Sequence, residues 1–289
     1  MILIIGVTGN TGKHVVNLIK ENEPHTGIVG TTRQDYSCEN VQVENVQRYD
    51  ETSLRNIFSK YPIKYVVQTA HTTLSPVVMD VSEEFQVRHV VCVHTTGIFS
   101  KYRSCSEEYV EVENALKSKN YKVPYTILRP TLIYGNPEDR NMAKLIRFLA
   151  KSPVFPLFGD GSNLFQPVHV ADLASAVYNS IGNPKAYGKE YNISGKTVIT
   201  YKEIIKMISH YLEKKVIVIP IPVFVALSGV WMLNHIFRKK WIITEQVKRM
   251  KEDKAFSYEE AMQELNYSPR SFEEGIRAEI PLVLNGEQR

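Results

Sequence analysis

The chain begins with a short apolar run that is followed by a helical pattern. Residues 1–5 read MILII, and residues 13–21 place several apolar side chains on one side of a helix. A nearly unbroken apolar run of this length is typical of a strand that is buried on both faces of a parallel sheet. Further short apolar runs alternate with helical patterns along the chain. The alternation predicts an α/β fold, in which a mostly parallel, doubly wound sheet carries helices on both faces.

The predicted elements divide the chain into two parts. Further strands are predicted at residues 27–31, 41–46, 65–70, 87–93 and 125–128. Helices are predicted at residues 51–60, 75–86, 102–117 and 201–212. We expect residues 1–135 to form a dinucleotide-binding core. Residues 136–289 should form most of a smaller substrate lobe, with some elements that return to the core.

Three glycines at equal spacing separate the first strand from the first helix: Gly6, Gly9 and Gly12. Without a Cβ the chain can turn tightly, and its amides can approach an anion closely. The start of the helix adds unpaired N–H groups and a partial positive charge. Short polar side chains complete the turn: Thr8, Asn10 and Thr11. We therefore predict that the turn binds the pyrophosphate of a dinucleotide; a purely structural strand–helix turn is the alternative.

The end of the second strand predicts which dinucleotide binds. Arg33 follows this strand, about twenty residues beyond the glycine turn, where a residue that selects the ribose is expected. A carboxylate there would accept hydrogen bonds from a ribose 2′-OH, whereas an arginine suits a 2′-phosphate. The sequence thus favours NADP, and the nearby Asp35 keeps NAD as the alternative.

Polar residues at later strand ends extend the predicted cofactor path. Thr69, Ala70 and His71 end the fourth strand, where His71 is either a polar ligand or a structural group. Asp50 precedes the helix at residues 51–60 and could cap it, because a short carboxylate accepts from the free N–H groups of a first turn.

Composition excludes several classes of protein. The chain has 289 residues, 43% of them hydrophobic, and its net charge of +4 indicates no nucleic-acid partner. Its three cysteines are scattered and fit neither a disulfide framework nor a metal cluster, so a reducing cytoplasm is the expected location and no metal is expected. Because the first strand begins at Met1, no signal peptide is expected.

One uncharged stretch, residues 216–237, is long enough to span a membrane and is followed by three basic residues. Pro220 and Pro222 interrupt its first part, which predicts a strand followed by a short helix at residues 223–233. We expect this strand and helix to be buried in the second lobe. A weak contact with a membrane surface is the alternative.

Several motifs resemble those of the short-chain dehydrogenase/reductase superfamily. The string HTTGIF at residues 94–99 is similar to the strand end Ser-Ser-Ser-Gly-Val-Tyr-Gly, and residues 128–135 are similar to Leu-Arg-Pro-x-x-x-Tyr-Gly. Residues 158–174 match the segment Gly-Asp-Gly … Val-x-Val-x-Asp-Leu-Ala. The glycine turn has the spacing of the extended and atypical branches, which include the sugar-nucleotide epimerases and dehydratases. The resemblance is weakest over residues 222–254.

The resemblance implies a Rossmann-type fold and assigns roles to several residues. Thr96 takes the place of the catalytic serine or threonine, and Thr95 and Pro130 lie where the family passes the nicotinamide. Asp50 lies where the family often has an aspartate near the adenine ring. Asp172 should cap the helix that continues to Tyr178. The implied substrate is a small molecule such as a nucleotide sugar, and the implied assembly is a monomer or homodimer.

The family's catalytic pair, Tyr-x-x-x-Lys, is missing from the helix where it belongs. In the family the tyrosine is the general acid/base, and the lysine lowers its pKa. With Glu113 aligned to the glutamate that commonly follows, the lysine position holds Tyr109 and the tyrosine position holds Cys105. A phenol without a cation beside it is a weak base at neutral pH. Tyr109 or Tyr102 could still act as an unassisted acid.

Two hypotheses follow from the sequence. The first is an NADP-dependent oxidoreductase or epimerase-like enzyme that acts on a nucleotide sugar or another small carbonyl compound, with Thr96 and Tyr109 as its polar pair. The second is a protein that binds the dinucleotide without turnover, as a sensor or a scaffold.

Overall fold

The computed structural model describes residues 1–139, 141–222 and 252–285. Its strands are β1 (Ile2–Ile5), β2 (Ile28–Thr32), β3 (Val41–Asn45), β4 (Tyr65–Gln68), β5 (His89–Val93), β6 (Tyr125–Pro130), β7 (Ile133–Tyr134), β8 (Val154–Phe158), β9 (Leu164–Phe165), β10 (Val168–His169), β11 (Glu190–Ile193), β12 (Ile199–Thr200) and β13 (Ile217–Ile221). Its α-helices are α1 (Asn10–Asn22), α2 (Glu51–Lys60), α3 (Ser75–Glu84), α4 (Arg103–Ser118), α5 (Met142–Lys151), α6 (Val170–Ser180), α7 (Tyr201–Tyr211), α8 (Glu259–Leu265) and α9 (Phe272–Asn285).

Seven parallel strands form the main sheet, in the order β11-β6-β5-β4-β1-β2-β3. The chain proceeds outward from β1 through β2 and β3, and then returns to β4 on the other side of β1. Ligands of such sheets bind at this reversal, outside the carboxyl ends of the strands. The topology confirms the predicted Rossmann-type, doubly wound α/β fold.

Each face of this sheet is covered by helices. On one face α1, α6 and α8 bury an apolar cluster that includes Val16, Leu173 and Leu265. On the other face α2, α3 and α4 bury a second cluster that includes Leu54 and Met79. Strands β1 and β5 are buried along their whole length, as their continuous apolar runs predict.

A third apolar cluster belongs to the smaller lobe. It joins α5, α7 and α9 to β8 through side chains such as Ile146, Leu157, Ile204 and Ile276. Strand β8 pairs in parallel with β13. Strand β11 and helix α6 also lie beyond residue 135, yet they complete the main sheet and one of its helical layers.

The uncharged stretch is only partly described. Its first part forms the predicted strand, β13. The expectation that this strand is buried is wrong, because Ile217 is 64% exposed and Ile219 is 48% exposed. The helix predicted at residues 223–233 and the basic residues 238–240 lie outside the described residues. None of the helices in the described ranges has the length and apolar character needed to cross a bilayer.

The prediction that Asp172 caps α6 is wrong. His169 is the N-cap, and its Nδ1 accepts from the N–H of Ala171 at 3.2 Å. Asp172 lies within the first turn of α6, where its carboxylate pairs with Arg270 at 2.8 Å and accepts from the Arg270 N–H at 3.0 Å. Asp172 therefore connects α6 to the segment that precedes α9, which is a structural role of a different kind.

Candidate functional site

The glycine turn has a conformation that requires its glycines. Gly6 has φ +90°, in the left-handed region that favours glycine. A Cβ at Gly12 would overlap the carbonyl oxygen of Gly6, so α1 begins in direct contact with the end of β1. Gly9 is the N-cap of α1 and provides no capping side chain. The first N–H groups of α1 therefore face the turn without a side-chain partner, which is the arrangement that binds an anion.

A groove of about 290 Å³ adjoins this turn. Its lining brings together residues from four parts of the chain: Gly9, Asn10, Thr11, Thr69, Ile133, Tyr134, Asn136, Glu138, Asp139 and Val170. Asn136 Nδ2 donates to Asn10 Oδ1 at 2.7 Å, so the segment after β7 is fastened to the glycine turn. The turn, its open helix end and this groove fit the pyrophosphate region of a dinucleotide.

The residues predicted to bind the adenosine part lie beyond the ends of β2 and β3. Thr8 Oγ1 lies 3.2 Å from Thr32 Oγ1, which fixes the turn against the end of β2. Arg33 follows as an exposed side chain, and no carboxylate among the described residues pairs with it. Asp50 caps α2, because its Oδ1 accepts from the Ser53 N–H at 3.0 Å. The cap is thus realised, and a contact of Asp50 with adenine stays a prediction.

The end of β4 packs against Gly6. The Thr69 hydroxyl donates to the carbonyl oxygen of Ile5 at 3.0 Å, and the Ala70 amide lies where a Cβ on Gly6 would be crowded. His71 is exposed and caps a short 3₁₀ turn, with its Nδ1 2.9 Å from Thr73 Oγ1. His71 therefore has the structural role that was the alternative. Thr69 also lines the groove beside the glycine turn, and contacts of Thr69 and Ala70 with a cofactor stay a prediction.

A buried carboxyl lies behind the groove. Glu279 of α9 is 1% exposed, and its Oε1 accepts from the Gly135 N–H at 3.1 Å. Its Oε2 has no donor among the described residues. Burial, together with the neighbouring Asp139 carboxyl, raises the pKa of Glu279 to about 8. When Glu279 is protonated, its Oε2 carries a proton and can donate a hydrogen bond to Asp139, so this oxygen is no longer without a partner. The protonated carboxyl is also neutral, so it adds no negative charge beside the groove.

A larger cavity, of about 780 Å³, lies at the ends of β5 and β6. Thr95 and Thr96 line it. Thr95 Oγ1 accepts from the Gly97 N–H at 3.0 Å, and the Thr96 hydroxyl donates to the Pro130 carbonyl oxygen at 3.1 Å. The Thr96 hydroxyl thus connects two strand ends, and its oxygen can still accept a hydrogen bond from a substrate alcohol.

The two tyrosines considered as acids lie at different places on α4. Tyr102 immediately precedes the helix and lines the cavity. Tyr109 is half-buried about 10 Å further along the helix axis and is not among the lining residues. Tyr102 is therefore the better-placed phenol of the two.

Helix α4 also carries a buried ionic network. Glu113 is 1% exposed and accepts from Arg129 Nε at 2.8 Å and from a second guanidinium nitrogen. His94 Nδ1 lies 3.1 Å from the same carboxylate, and His94 Nε2 lies 2.9 Å from Ser75 Oγ. Burial raises the pKa of Glu113, but hydrogen bonds from Arg129 and His94 outweigh burial and lower it to about 2. The network joins α4 to β5, β6 and α3.

The far wall of the cavity comes from residues that the sequence did not indicate. Glu252 accepts from the Ser100 hydroxyl at 2.9 Å and from the Lys101 N–H at 2.7 Å. Phe256 follows, and its ring lies 5.2 Å from that of Phe99. This wall was missed because it falls where the resemblance is weakest and carries no motif. The cavity and the groove share Ile133, so the two spaces adjoin.

The model of the NAD dependent epimerase/dehydratase family matches residues 2–97 and 99–194. The chain belongs to this family. Membership confirms the predicted extended branch of the short-chain dehydrogenase/reductase superfamily. The family's description names NAD, which agrees with the predicted class of cofactor, a nicotinamide dinucleotide.

Two named proteins are similar to parts of the chain. Over 107 residues the chain is 30% identical to NADH dehydrogenase (ubiquinone) 1 alpha subcomplex subunit 9, mitochondrial, of Arabidopsis thaliana. The matched region is 36% of this chain and 26% of that protein. Over 233 residues it is 23% identical to the protein of the same name from Dictyostelium discoideum. The matched region is 71% of this chain and 62% of that protein. The match thus spans less than two thirds of either relative.

A similar solved structure is that of UDP-glucuronic acid 4-epimerase from Bacillus cereus, in complex with UDP-glucuronic acid and NAD. It superimposes with a TM-score of 0.76 and 17% identity, over 98% of this chain and 99% of that one. The likeness supports the fold, and the neighbouring structure binds NAD.

Proposed function

We propose that this protein is an NAD(P)-dependent oxidoreductase that acts on a small carbonyl or alcohol substrate. The observation that carries the proposal is the junction at Ile133 of the groove beside the glycine turn and the cavity lined by Thr96. A dinucleotide held by the turn would end beside a substrate held in the cavity. Both spaces lie at the carboxyl ends of the strands, where this class of fold binds its ligands.

The glycine turn and the start of α1 would hold the pyrophosphate. Arg33 would hold a ribose 2′-phosphate, which makes NADP the preferred form, with NAD as the alternative that the neighbouring structure supports. Asp50, Thr69, Ala70, Thr95 and Pro130 would line the remaining path.

A bound nicotinamide supplies or accepts the hydride. Thr96 would orient a substrate carbonyl oxygen by turning its hydroxyl from the Pro130 carbonyl to donate to that oxygen, and Tyr102 would donate the proton that this oxygen takes up during reduction. Tyr109, the acid predicted from the sequence, stays the second choice. Because no lysine lies one turn later to activate the phenol, turnover should be slow.

The test measures NADPH and NADH binding first, and then turnover with a panel of aldehydes and ketones. We expect Thr96→Val and Tyr102→Phe each to lower kcat by about tenfold or more with NADPH affinity unchanged, because general acid catalysis contributes at least this much. Tyr109→Phe is the matched control. If Thr96→Val and Tyr102→Phe keep full turnover while Tyr109→Phe loses it, the acid assignment is wrong. If neither cofactor binds, the proposal itself is wrong.

A second candidate is a cofactor-binding sensor or assembly protein without turnover. It is favoured by the missing Tyr-x-x-x-Lys pair and by the similarity to proteins named as NADH dehydrogenase subunits. NADPH binding without turnover of any tested carbonyl compound would support it. Sedimentation with anionic vesicles would test an associated membrane contact, and protein that stays in the supernatant would argue against that contact.

A further inference from the structure

The cavity lined by Thr96 continues into a second space. This recess has a volume of about 340 Å³ and lies in the smaller lobe. Four residues line both spaces: Leu132, Asn141, Phe165 and Lys254. The combined space therefore has two chemically different ends, with Thr96 and Tyr102 at one end and the recess at the other.

The recess is mostly apolar. Beyond the shared residues, its walls are Met142 and Leu145 from α5, Phe158 from β8, Tyr201 and Ile204 from α7, and one polar residue, Asn163. The buried Asn163 Nδ2 has no partner among the described residues, so it can donate to a single oxygen on an otherwise apolar ligand. The cation at its entrance, Lys254, lies over the Phe165 ring, with Nζ 4.7 Å from the centroid. The recess therefore favours an apolar group over a hydrated polar one.

The charges around the combined space do not match a diphosphate. Its described lining carries Lys101 and Lys254, which are balanced by Glu252 and Asp253, and no arginine. A nucleotide sugar brings two negative charges on its diphosphate, and bidentate arginine is the usual protein partner for such groups. An excess of positive charge is what this ligand would need, and the described lining has none.

We infer that the substrate is an uncharged carbonyl or alcohol compound with an apolar body, which occupies the recess between α5 and α7 while the reacting oxygen lies at Thr96. A methylene occupies about the volume of a water molecule in the liquid, about 30 Å³, so the recess holds a body of roughly ten carbon atoms. The reaction at Thr96 rests on the proposed function; the occupancy of the recess does not.

The test is a calorimetric titration of the full-length protein, with and without NADPH. The probes are pentan-1-ol, decan-1-ol, the ten-carbon bicyclic alcohol 2-tetralol, and UDP-glucose. We expect affinity to rise about threefold per methylene, and roughly 200-fold from pentan-1-ol to decan-1-ol, because each buried methylene adds transfer free energy. UDP-glucose should bind more weakly than decan-1-ol. Tight binding of 2-tetralol would support a ring-shaped body of the same class.

A matched pair of variants locates the binding. Leu145→Gln puts an amide into the half-buried wall of the recess, whereas Leu282→Gln makes the same change at a side chain of α9 that is 54% exposed. We expect Leu145→Gln to weaken decan-1-ol binding by about tenfold, as for a polar group placed in an apolar site, and Leu282→Gln to leave it unchanged.

Three results would overturn the inference. They are tighter binding of UDP-glucose than of decan-1-ol, no dependence on chain length, and equal effects of the two variants. Failure of the proposed function would look different, because NADPH would not bind while the alcohol titrations without cofactor still report on the recess.

Discussion

The glycine turn and helix α4 keep different parts of the family pattern. In the turn, every feature that shapes the backbone is present, including the positive φ of Gly6 and the close approach of Gly12 to it. In α4, the structural glutamate is present and the acid/base pair is not. The difference teaches that a chain can keep the residues that shape its fold and its predicted cofactor-binding turn while it lacks the residues that transfer a proton.

A second comparison concerns two buried carboxyls, Glu113 on α4 and Glu279 on α9 behind the groove, which are held in opposite states. Glu113 lies between Arg129 and His94, and these partners favour the ionised form. Glu279 is buried beside another carboxyl, Asp139, and both burial and this neighbour favour the protonated form. Glu113 therefore stabilises the fold in its ionised form, and Glu279 stabilises it in its protonated form. Replacing each by glutamine should change the free energy of unfolding in opposite directions at high pH.

The largest effect is expected at Glu113. Glu113→Gln removes the buried charge that pairs with Arg129, which should cost about 3 kcal/mol in the free energy of unfolding, as for other broken buried pairs. Denaturant unfolding measures it. Because the pKa of Glu113 is lowered from its ordinary value of 4.5 to about 2, its contribution is present above pH 4.5 and is lost as the pH falls to about 2.

The control is Glu111→Gln, at an exposed position on the same helix. It should change the free energy of unfolding by less than about 0.5 kcal/mol. Equal losses at Glu113 and Glu111 would show that the network does not stabilise α4.

Glu279→Gln should act in the opposite direction. The pKa of Glu279 is raised to about 8, so its contribution is present below pH 4.5 and is lost as the pH rises to about 8. Glutamine cannot ionise and keeps a donor for Asp139, so at pH 9 the variant should be more stable than the unchanged protein by about 2 kcal/mol. Unfolding curves at pH 6 and pH 9 provide the comparison, and a variant that is less stable at pH 9 would contradict a protonated Glu279.

Gly12→Ala tests the backbone side of the comparison. The added Cβ overlaps the Gly6 carbonyl oxygen and should cost about 1.5 kcal/mol in stability, as overpacking does, together with most of the cofactor affinity. Gly9→Ala is the control for stability alone, since its Cβ would lie 3.2 Å from the same oxygen and Gly9 has an ordinary φ of −68°, while Gly9 itself lines the groove. Denaturant unfolding compares the two variants, and NADPH titration measures the affinity of Gly12→Ala. Unchanged affinity in Gly12→Ala would show that the turn does not shape the cofactor site.

Arg33→Ala should have the smallest effect on cofactor affinity, and this effect should distinguish NADPH from NADH. Loss of a charge-assisted contact with a 2′-phosphate should weaken NADPH binding by about tenfold and leave NADH binding nearly unchanged. Arg48→Ala, at a side chain that is 88% exposed and beside Asp50, controls for a general change in charge. Equal losses for the two cofactors would contradict the assignment of NADP.

Local signals in the sequence predicted elements well and distant partners poorly. Helix α2 has the predicted bounds, because Asp50 marks its start through contacts within one turn. The cap of α6 was assigned to Asp172, but this carboxylate accepts hydrogen bonds from Arg270, which is 98 residues away in the chain. The partners of Glu113 likewise come from other strands, and the wall at Glu252 comes from the far end of the chain. Such contacts depend on the complete fold, which the local pattern does not specify.

The return of α6 and β11 to the main sheet has a consequence for how the chain acquires its fold. The apolar layer over α1 needs Leu173 and Val177 from α6 and Ile193 from β11. During synthesis these residues leave the ribosome only after the whole segment that contains α5 and β8. Until then α1 alone covers this hydrophobic face of the first six strands, and the exposed remainder is the kind of surface that chaperones recognise. A fragment ending at residue 135 would be left permanently in that state.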